Sequence, residues 1–494
     1  MADRIALGRG LSARLSTLAI ALALAGCAGL VPRHHPAELV PGGLPTTAAP
    51  ATGAAVQAQI SIDRWWTLFG DAELDRLVEQ ALALNQDLAL AAARLREARA
   101  QSDEVRGGQR PSLDLQAANS RSRQSIDALG LPAAERTLSS HRVSLVGAYE
   151  VDLWGRLAAG SDAARSRLLA QVWSRASVEW SLTAQLAEAH FSLRALQRQL
   201  EISEAVRASR EHSMSLRRTE QAAGATSEFD LRRAEAELAA AEVTIASLKR
   251  QRVGLEAALA LLAGRPAATL FDAEPTRAAL DPSLPFTARL PQGDAAELLR
   301  RRPDLRQAEA QLAAARADIK AARAATLPAL RLSGSVGSDV RELSNLFSGP
   351  GFAWSLAANV AQSIVDGGRL QARVDQSDAR ADAALASYRR NVAMALTELR
   401  EAYVALDITQ QAQHAERQRV AALARAEGLA RLGFEVGALG RLDLLDAERN
   451  HFQAQLAEVD AYRDRLIGQV AAFKALGGGH GGVGADALAG SATN

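Results

Sequence analysis

Residues 87–113, DLALAAARLREARAQSDEVRGGQRPSL, return as residues 304–330, DLRQAEAQLAAARADIKAARAATLPAL. The two stretches align without a gap, so that Asp87 and Leu88 fall on Asp304 and Leu305, Leu95 on Leu312, Arg99 on Arg316, Arg106 on Arg323, Pro111 on Pro328 and Leu113 on Leu330. Further along, Gly224-Ala225, Asp230-Leu231 and Ala234-Glu235 return as Gly437-Ala438, Asp443-Leu444 and Ala447-Glu448, in a register shifted by a small loop deletion. The chain is a tandem duplication of a unit of about 200 residues, far above the solenoid range of roughly 20–50. Each copy is a whole supersecondary assembly, and what the chain builds is pseudo-symmetric.

Each copy holds two textures. Arg156 to about Ala222, and Arg369 to about Leu432, contain no proline and carry apolar residues at spacings of three and four (Leu182, Leu186, Ala189, Leu193, Leu196, Leu200). At 1.5 Å per residue each predicts a helix of roughly 100 Å. Such helices outrun any globular core and pack as coiled-coil hairpins or barrel staves. A turn at Gly224 in copy one, and between Gly433 and Gly440 in copy two, sends each back as a second helix ending at Gly264 and Gly477. Ahead of each long helix the pattern alternates: Val143, Leu145, Tyr149, Val151 and Leu153 in copy one, then Leu330, Leu332 and Val336 with Phe352, Trp354, Leu356 and Val360 in copy two. Each copy thus carries one β-hairpin long enough to cross a bilayer, for which about 9–11 tilted residues suffice. Four strands cannot close a membrane barrel, whose smallest form has about 8, and open edges are not tolerated in hydrocarbon. If the strands insert, copies of the chain associate, and a trimer supplies twelve.

The N-terminus reads as an address. Arg4, Arg9 and Arg14 precede the uncharged run Leu15–Leu24, a secretory signal too short to span as a helix. It ends Leu24-Ala25-Gly26-Cys27, and Cys27 is the single cysteine of the chain. This resembles a bacterial lipoprotein cleavage box, which implies a mature N-terminus at Cys27 bearing N-acyl and S-diacylglycerol chains, with Ala28 pointing to the outer membrane. The expected organisation is a signal segment 1–26, an acylated tether 27–62, a first repeat 63–270 (hairpin about 111–153, helical hairpin about 156–264), a linker 271–292, a second repeat 293–477 (hairpin about 328–366, helical hairpin about 369–477) and a disordered Gly-rich tail 478–494.

Aromatic residues make up 4% of the 494-residue chain and the formal net charge is +1, a balance that favours long helices and argues against nucleic acid as a partner. No nucleophile elbow or paired-carboxylate arrangement is present, so no catalysis is expected. His34-His35 lies in the tether and methionine occurs three times, a weak basis for metal export; no metal or cofactor besides the lipid is expected. The glycines of the tail lack the Lys and the strand–helix context of a phosphate loop.

Trp65-Trp66 with Phe69, Asp71, Leu74 and Leu77, then Tyr149-Glu150-Val151-Asp152-Leu153-Trp154-Gly155-Arg156, Leu299-Arg300-Arg301-Arg302-Pro303-Asp304-Leu305, Asp366-Gly367-Gly368-Arg369 and Leu442-Asp443-Leu444-Leu445-Asp446-Ala447 resemble the TolC-like outer-membrane efflux proteins, in their NodT/OprM-like lipoprotein branch. The resemblance runs from Asp63 to Gly477. It implies a mainly α fold with a transmembrane β-barrel part, in which a homotrimer builds a twelve-stranded barrel in the outer membrane, continued by a periplasmic α-helical barrel. It also implies a periplasmic adaptor protein and an inner-membrane pump, usually of the resistance-nodulation-division (RND) type, as partners. On it, Asp443 and Asp446 match acidic residues lining a closed periplasmic entrance, Leu442 an apolar constriction and Phe434 an aromatic gate residue. Leu439 stands where some relatives carry a gate-locking Arg, with Arg441 two residues on; Asp230, the repeat mate of Asp443, and Arg441 are weaker gate candidates. Asp443 and Asp446 lie three apart on one helix face, and near a helix N-terminus Asp443 also suits the macrodipole. Export of proteins by a type I secretion system, and a poreless periplasmic coiled-coil scaffold, are the competing readings.

Overall fold

A computed structural model describes residues 62–125, 135–265, 278–282 and 301–477, all within the unit Thr52–Asn494. The signal segment, Cys27, most of the tether, the tail and all of the linker except 278–282 lie outside the described residues. In chain order a 3-10 segment (Ile62–Phe69) leads to helices α1 (Ala72–Leu84) and α2 (Gln86–Gly107), strands β1 (Ser112–Ser125) and β2 (Glu135–Val151), and helices α3 (Arg156–Ala222) and α4 (Glu228–Leu262). The second copy follows with α5 (Pro303–Ala324), β3 (Ala329–Val340), β4 (Phe352–Ala361), α6 (Arg369–Glu435) and α7 (Arg441–Ala475).

α3 and α6 are each 67 residues long, about 100 Å at the helical rise. α4 packs back along α3 and α7 along α6. The copies are then joined through α3, which also packs on α5 and α7 of the second copy. The core sits where this happens. Trp65 stacks on Phe473 with ring centroids 5.7 Å apart and Phe69 meets Phe191 at 5.0 Å, tying the N-terminal segment to both α3 and α7. Leu186, Leu193, Val459, Leu466 and Val470 fill the space around them. Aromatic contacts of this kind stabilise by about 0.5–1.5 kcal/mol beyond the area they bury.

The strand-to-helix joints are built by the motif residues. Asp152 accepts a hydrogen bond from the Ala158 amide at 2.8 Å, and Trp154 Nε1 donates to the Pro328 carbonyl at 2.7 Å. Glu150 accepts from Arg156 at 2.6 Å and faces Arg331 of the neighbouring strand at 3.5 Å. In copy two Asp366 accepts from the amides of Gly368 and Leu370 at 3.0 and 2.9 Å.

The return helices end under equally specific constraints. Gly264 has φ +71°, and a Cβ there would lie 2.5 Å from the Leu84 carbonyl carbon; beside it the Asn85 side chain donates to the Leu262 carbonyl at 2.9 Å. Gly477, its mate in the second copy, has φ +84° and lies against Arg302. Gly264→Ala is expected to lower stability by about 2 kcal/mol, since a left-handed backbone and a backbone clash must both be met. Thermal unfolding in detergent measures it; an unshifted transition would mean that α1 and α4 do not touch there.

Among the described residues four strands form one antiparallel sheet in the order β1-β2-β3-β4. β2 of copy one pairs with β3 of copy two, so the sheet runs across the duplication. Leu115, Leu145, Val336 and Trp354 fall on one register line, one from each strand. Among the described residues β1 and β4 are its unpaired edges.

Candidate functional site

Alternation gives the sheet two unlike faces. One carries Leu113, Leu115, Val143, Leu145, Leu332, Val336, Phe352, Trp354, Leu356 and Val360, and it is laid open to the surroundings: Leu115 is 71%, Trp354 72% and Leu356 78% exposed. The other carries Asp114, Gln116, Arg142, Ser144, Glu150, Arg331, Ser333, Ser335, Asp339 and Asn359. On it Asp339 accepts from Arg142 at 2.5 Å and from Ser140 at 2.8 Å, and Ser335 and Ser355 share a hydrogen bond of 2.9 Å. A broad exposed apolar face opposite a hydrogen-bonded polar one is the wall of a membrane barrel, lipid outside and water within. Among the described residues no helix is long and apolar enough to cross a membrane, so the sheet is the element suited to that contact.

At the far end of the long helices lie the two turns. α6 ends at Glu435 and α7 starts at Arg441, and this turn gathers Phe434, Arg441, Leu442, Asp443 and Asp446. The Arg441 guanidinium lies 5.6 Å from the centre of the Phe434 ring, a cation–π contact. Burial first, then the Arg217 guanidinium of α3, lowers the Arg441 pKa from its ordinary value. Asp443 caps its helix: the Gly440 amide donates to its carboxylate at 3.0 Å. Asp446 accepts from Asn450 at 3.1 Å and pairs with Arg449. Leu442 is 59% exposed, and Asp443 and Asp446 are exposed as well.

Asp230 occupies the corresponding turn between α3 and α4 but lives differently. Its carboxylate accepts from Ser227 Oγ at 2.7 Å and Thr226 Oγ1 at 3.2 Å, and the Ser227 hydroxyl above all lowers its pKa. In copy two Ser227 is replaced by Gly440. Where Asp230 has hydroxyl donors, Asp443 has the Gly440 amide.

A profile of the outer membrane efflux protein family matches residues 77–265 and 295–478, one match per copy. The chain belongs to the outer membrane efflux protein family. It is 34% identical to the outer membrane protein OprJ of Pseudomonas aeruginosa over 468 residues, covering 94% of this chain and 95% of that one. It is 33% identical to the pyoverdine export outer membrane protein OpmQ of the same organism over 427 residues, covering 85% and 88%. Among solved structures, the outer-membrane channel OprN superposes with a TM-score of 0.78 at 32% identity, over 85% of this chain and 93% of that one. The chain is an outer-membrane efflux channel subunit, and its helical hairpins and four strands are the TolC-like architecture.

The tip of this efflux protein holds more than its sequence singles out. Between α3, α6 and α7 lies a cavity of about 420 Å³ lined by Arg198, Glu201, Arg210, Glu427, Arg431 and His451. His451 Nδ1 lies 2.5 Å from Glu427, Arg431 pairs with Glu427 at 2.7 Å, and Arg210 pairs with Glu448 at 3.4 Å. Glu448 is the mate of Glu235 in the repeat, a visible signal; Arg210 and His451 stand in stretches where the copies differ.

Proposed function

We propose that three copies of this chain form the exit duct of a tripartite efflux system, passively conducting drugs or other small molecules across the periplasm and outer membrane. A periplasmic adaptor and an inner-membrane pump of the RND type supply the molecules, and lipid on Cys27 anchors the duct to the outer membrane. The observation that carries this reading is the four-stranded sheet with one exposed apolar face, one polar face and two open edges, standing on helices about 100 Å long. Such a sheet is stable in hydrocarbon only when its edges are closed by further strands. OpmQ, named for pyoverdine export, supports a small-molecule cargo.

In a three-fold assembly Asp443 and Asp446 of α7 become acidic rings, Leu442 an apolar constriction and Phe434 the support of the turn that carries them. Acidic rings attract cations and apolar constrictions exclude water. Arg441 and Asp230 hold the neighbouring turns in place, Arg441 through Phe434 and Asp230 through Ser227. Purified protein is expected to conduct in planar bilayers. Exchanging Asp443 and Asp446 for Ala should lower the cation preference and weaken block by multivalent cations, with a similar open conductance. Unaltered selectivity would put both carboxylates off the axis, and a silent wild-type protein would sink the duct itself.

A further inference from the structure

The duplication makes the contact between copies readable from the contact within one chain. The register that sets Asp87 on Asp304 carries β1 onto β3. Because Ala148 pairs with Ser112 as Ala361 pairs with Ala329, β2 falls on β4 in the other register, the one that sets Gly224 on Gly437. The internal seam β2–β3 places Val151 opposite Leu330 and His141 opposite Val340. Carried over by these two registers, the same seam between β4 of one copy and β1 of the next places Ile364 opposite Leu113, Val360 opposite Ala117 and Asn359 opposite Ala118. This pairing keeps the apolar faces of the two edges continuous, which a slip of one residue would not.

The charges agree, with their signs exchanged. At the internal seam Glu150 holds both Arg156, at the start of α3, and Arg331, its direct strand partner. The mates of these three are Ser363, Arg369 and Asp114. The carboxylate has left the middle position and stands on the facing strand. Both Asp114 and Arg369 are exposed, and among the described residues neither is in an ion pair. The helices show the same unfinished seam. Leu456 and Leu466 of α7 pack in the core against α3, whereas their mates on α4, Val243 and Val253, are 70% and 61% exposed. Phe191 and Ala195 of α3 are buried, whereas their mates on α6, Val404 and Ile408, are exposed.

We propose that the next copy of the chain docks on this seam with β4 pairing β1 of the partner subunit in the register that sets Asn359 opposite Ala118 of the partner subunit, locked by an ion pair from Arg369 to Asp114 of the partner subunit. The inference rests on the trimer reading and fixes its interface. The test uses the full-length chain in detergent and in membranes. Asn359→Cys with Ala118→Cys, on the polar face, and Val360→Cys with Ala117→Cys, on the apolar face, are oxidised; one pair of the two is the closer, non-hydrogen-bonded type. At least one should give covalent dimers and trimers, while Asn359→Cys with Gln116→Cys or Ser120→Cys, displaced by two residues, and each single variant should not. Arg369→Asp and Asp114→Arg should each dissociate the trimer at a lower temperature than the wild type, and the double exchange should restore it. A wild-type protein that runs as a monomer overturns the trimer reading. Trimers that cross-link only through a displaced pair, or charge exchanges that do not rescue each other, overturn this seam and leave the trimer standing.

Discussion

Asp71→Ala lowers the unfolding free energy by about 3–5 kcal/mol, the range for removing one member of a buried ion pair. Asp71 does two jobs at the point where the N-terminal segment enters the core. It caps α1, accepting from the amides of Glu73 and Leu74 at 3.0 and 3.1 Å. It also receives His190 Nε2 at 2.9 Å and pairs with Arg194. His190 is fully buried, so the alanine variant strands an imidazole and a largely buried guanidinium together. Burial tends to raise the Asp71 pKa, but the hydrogen bond and charge of His190, the Leu74 amide and Arg194 outweigh it and hold the carboxyl well below the usual range.

The sign of the pH dependence follows. A carboxyl whose pKa is depressed in the folded state contributes stability that is complete above its unfolded pKa of about 4 and is lost as the pH falls below it. Asp71→Asn keeps an oxygen for the cap and removes the charge. Denaturant unfolding in detergent should show the wild type losing stability faster than this variant as the pH falls below about 4. Parallel curves across that window would mean that Asp71 is not paired in the folded protein.

Leu356→Arg should keep the protein from assembling in the outer membrane. Leu356 lies within β4 on the apolar face, 78% exposed, and its partner on β3 is Gly334, which has no side chain to shield it. An arginine facing lipid near the bilayer midplane costs about 2–4 kcal/mol, and a three-fold assembly meets that cost in every copy. Ala357→Arg, one residue on, points to the polar face and should be tolerated, changing conductance instead. Fractionation of membranes and the yield of heat-resistant trimer separate the two variants. Equal loss for both would mean that the two faces have been assigned wrongly.

The long helices and the alternating strands were legible because their signals are local. Proline-free runs with apolar spacings of three and four, and alternation from Val143 to Val151 or from Phe352 to Val360, report backbone period directly. The candidate entrance was legible only as residue types. That Asp443 stands in an exposed turn follows from its glycines, but the difference between its cap on Gly440 and the hydroxyl-bound state of Asp230 depends on side-chain geometry in each turn. The cavity with Arg210, Glu427 and His451 was not read from the sequence: Glu427 and His451 face each other across the α6–α7 hairpin, but Arg210 comes from α3 in the other copy, and no local pattern brings it there.

The helix and strand periods and the turns between them can be read along the chain because each depends on neighbours a few residues away, and the duplication because one copy of the pattern repeats the other. The pairing of β2 with β3 across the duplication, the sharing of α3 by both copies and the meeting of Asp71, His190 and Arg194 emerge in three dimensions alone. These are choices among many pairings of similar apolar faces. They are settled by which close packing and which buried charges can be satisfied together, and no local pattern encodes that. The two unpaired sheet edges are the same fact seen from outside: the chain carries every local instruction for the wall, and a further copy is needed to close it.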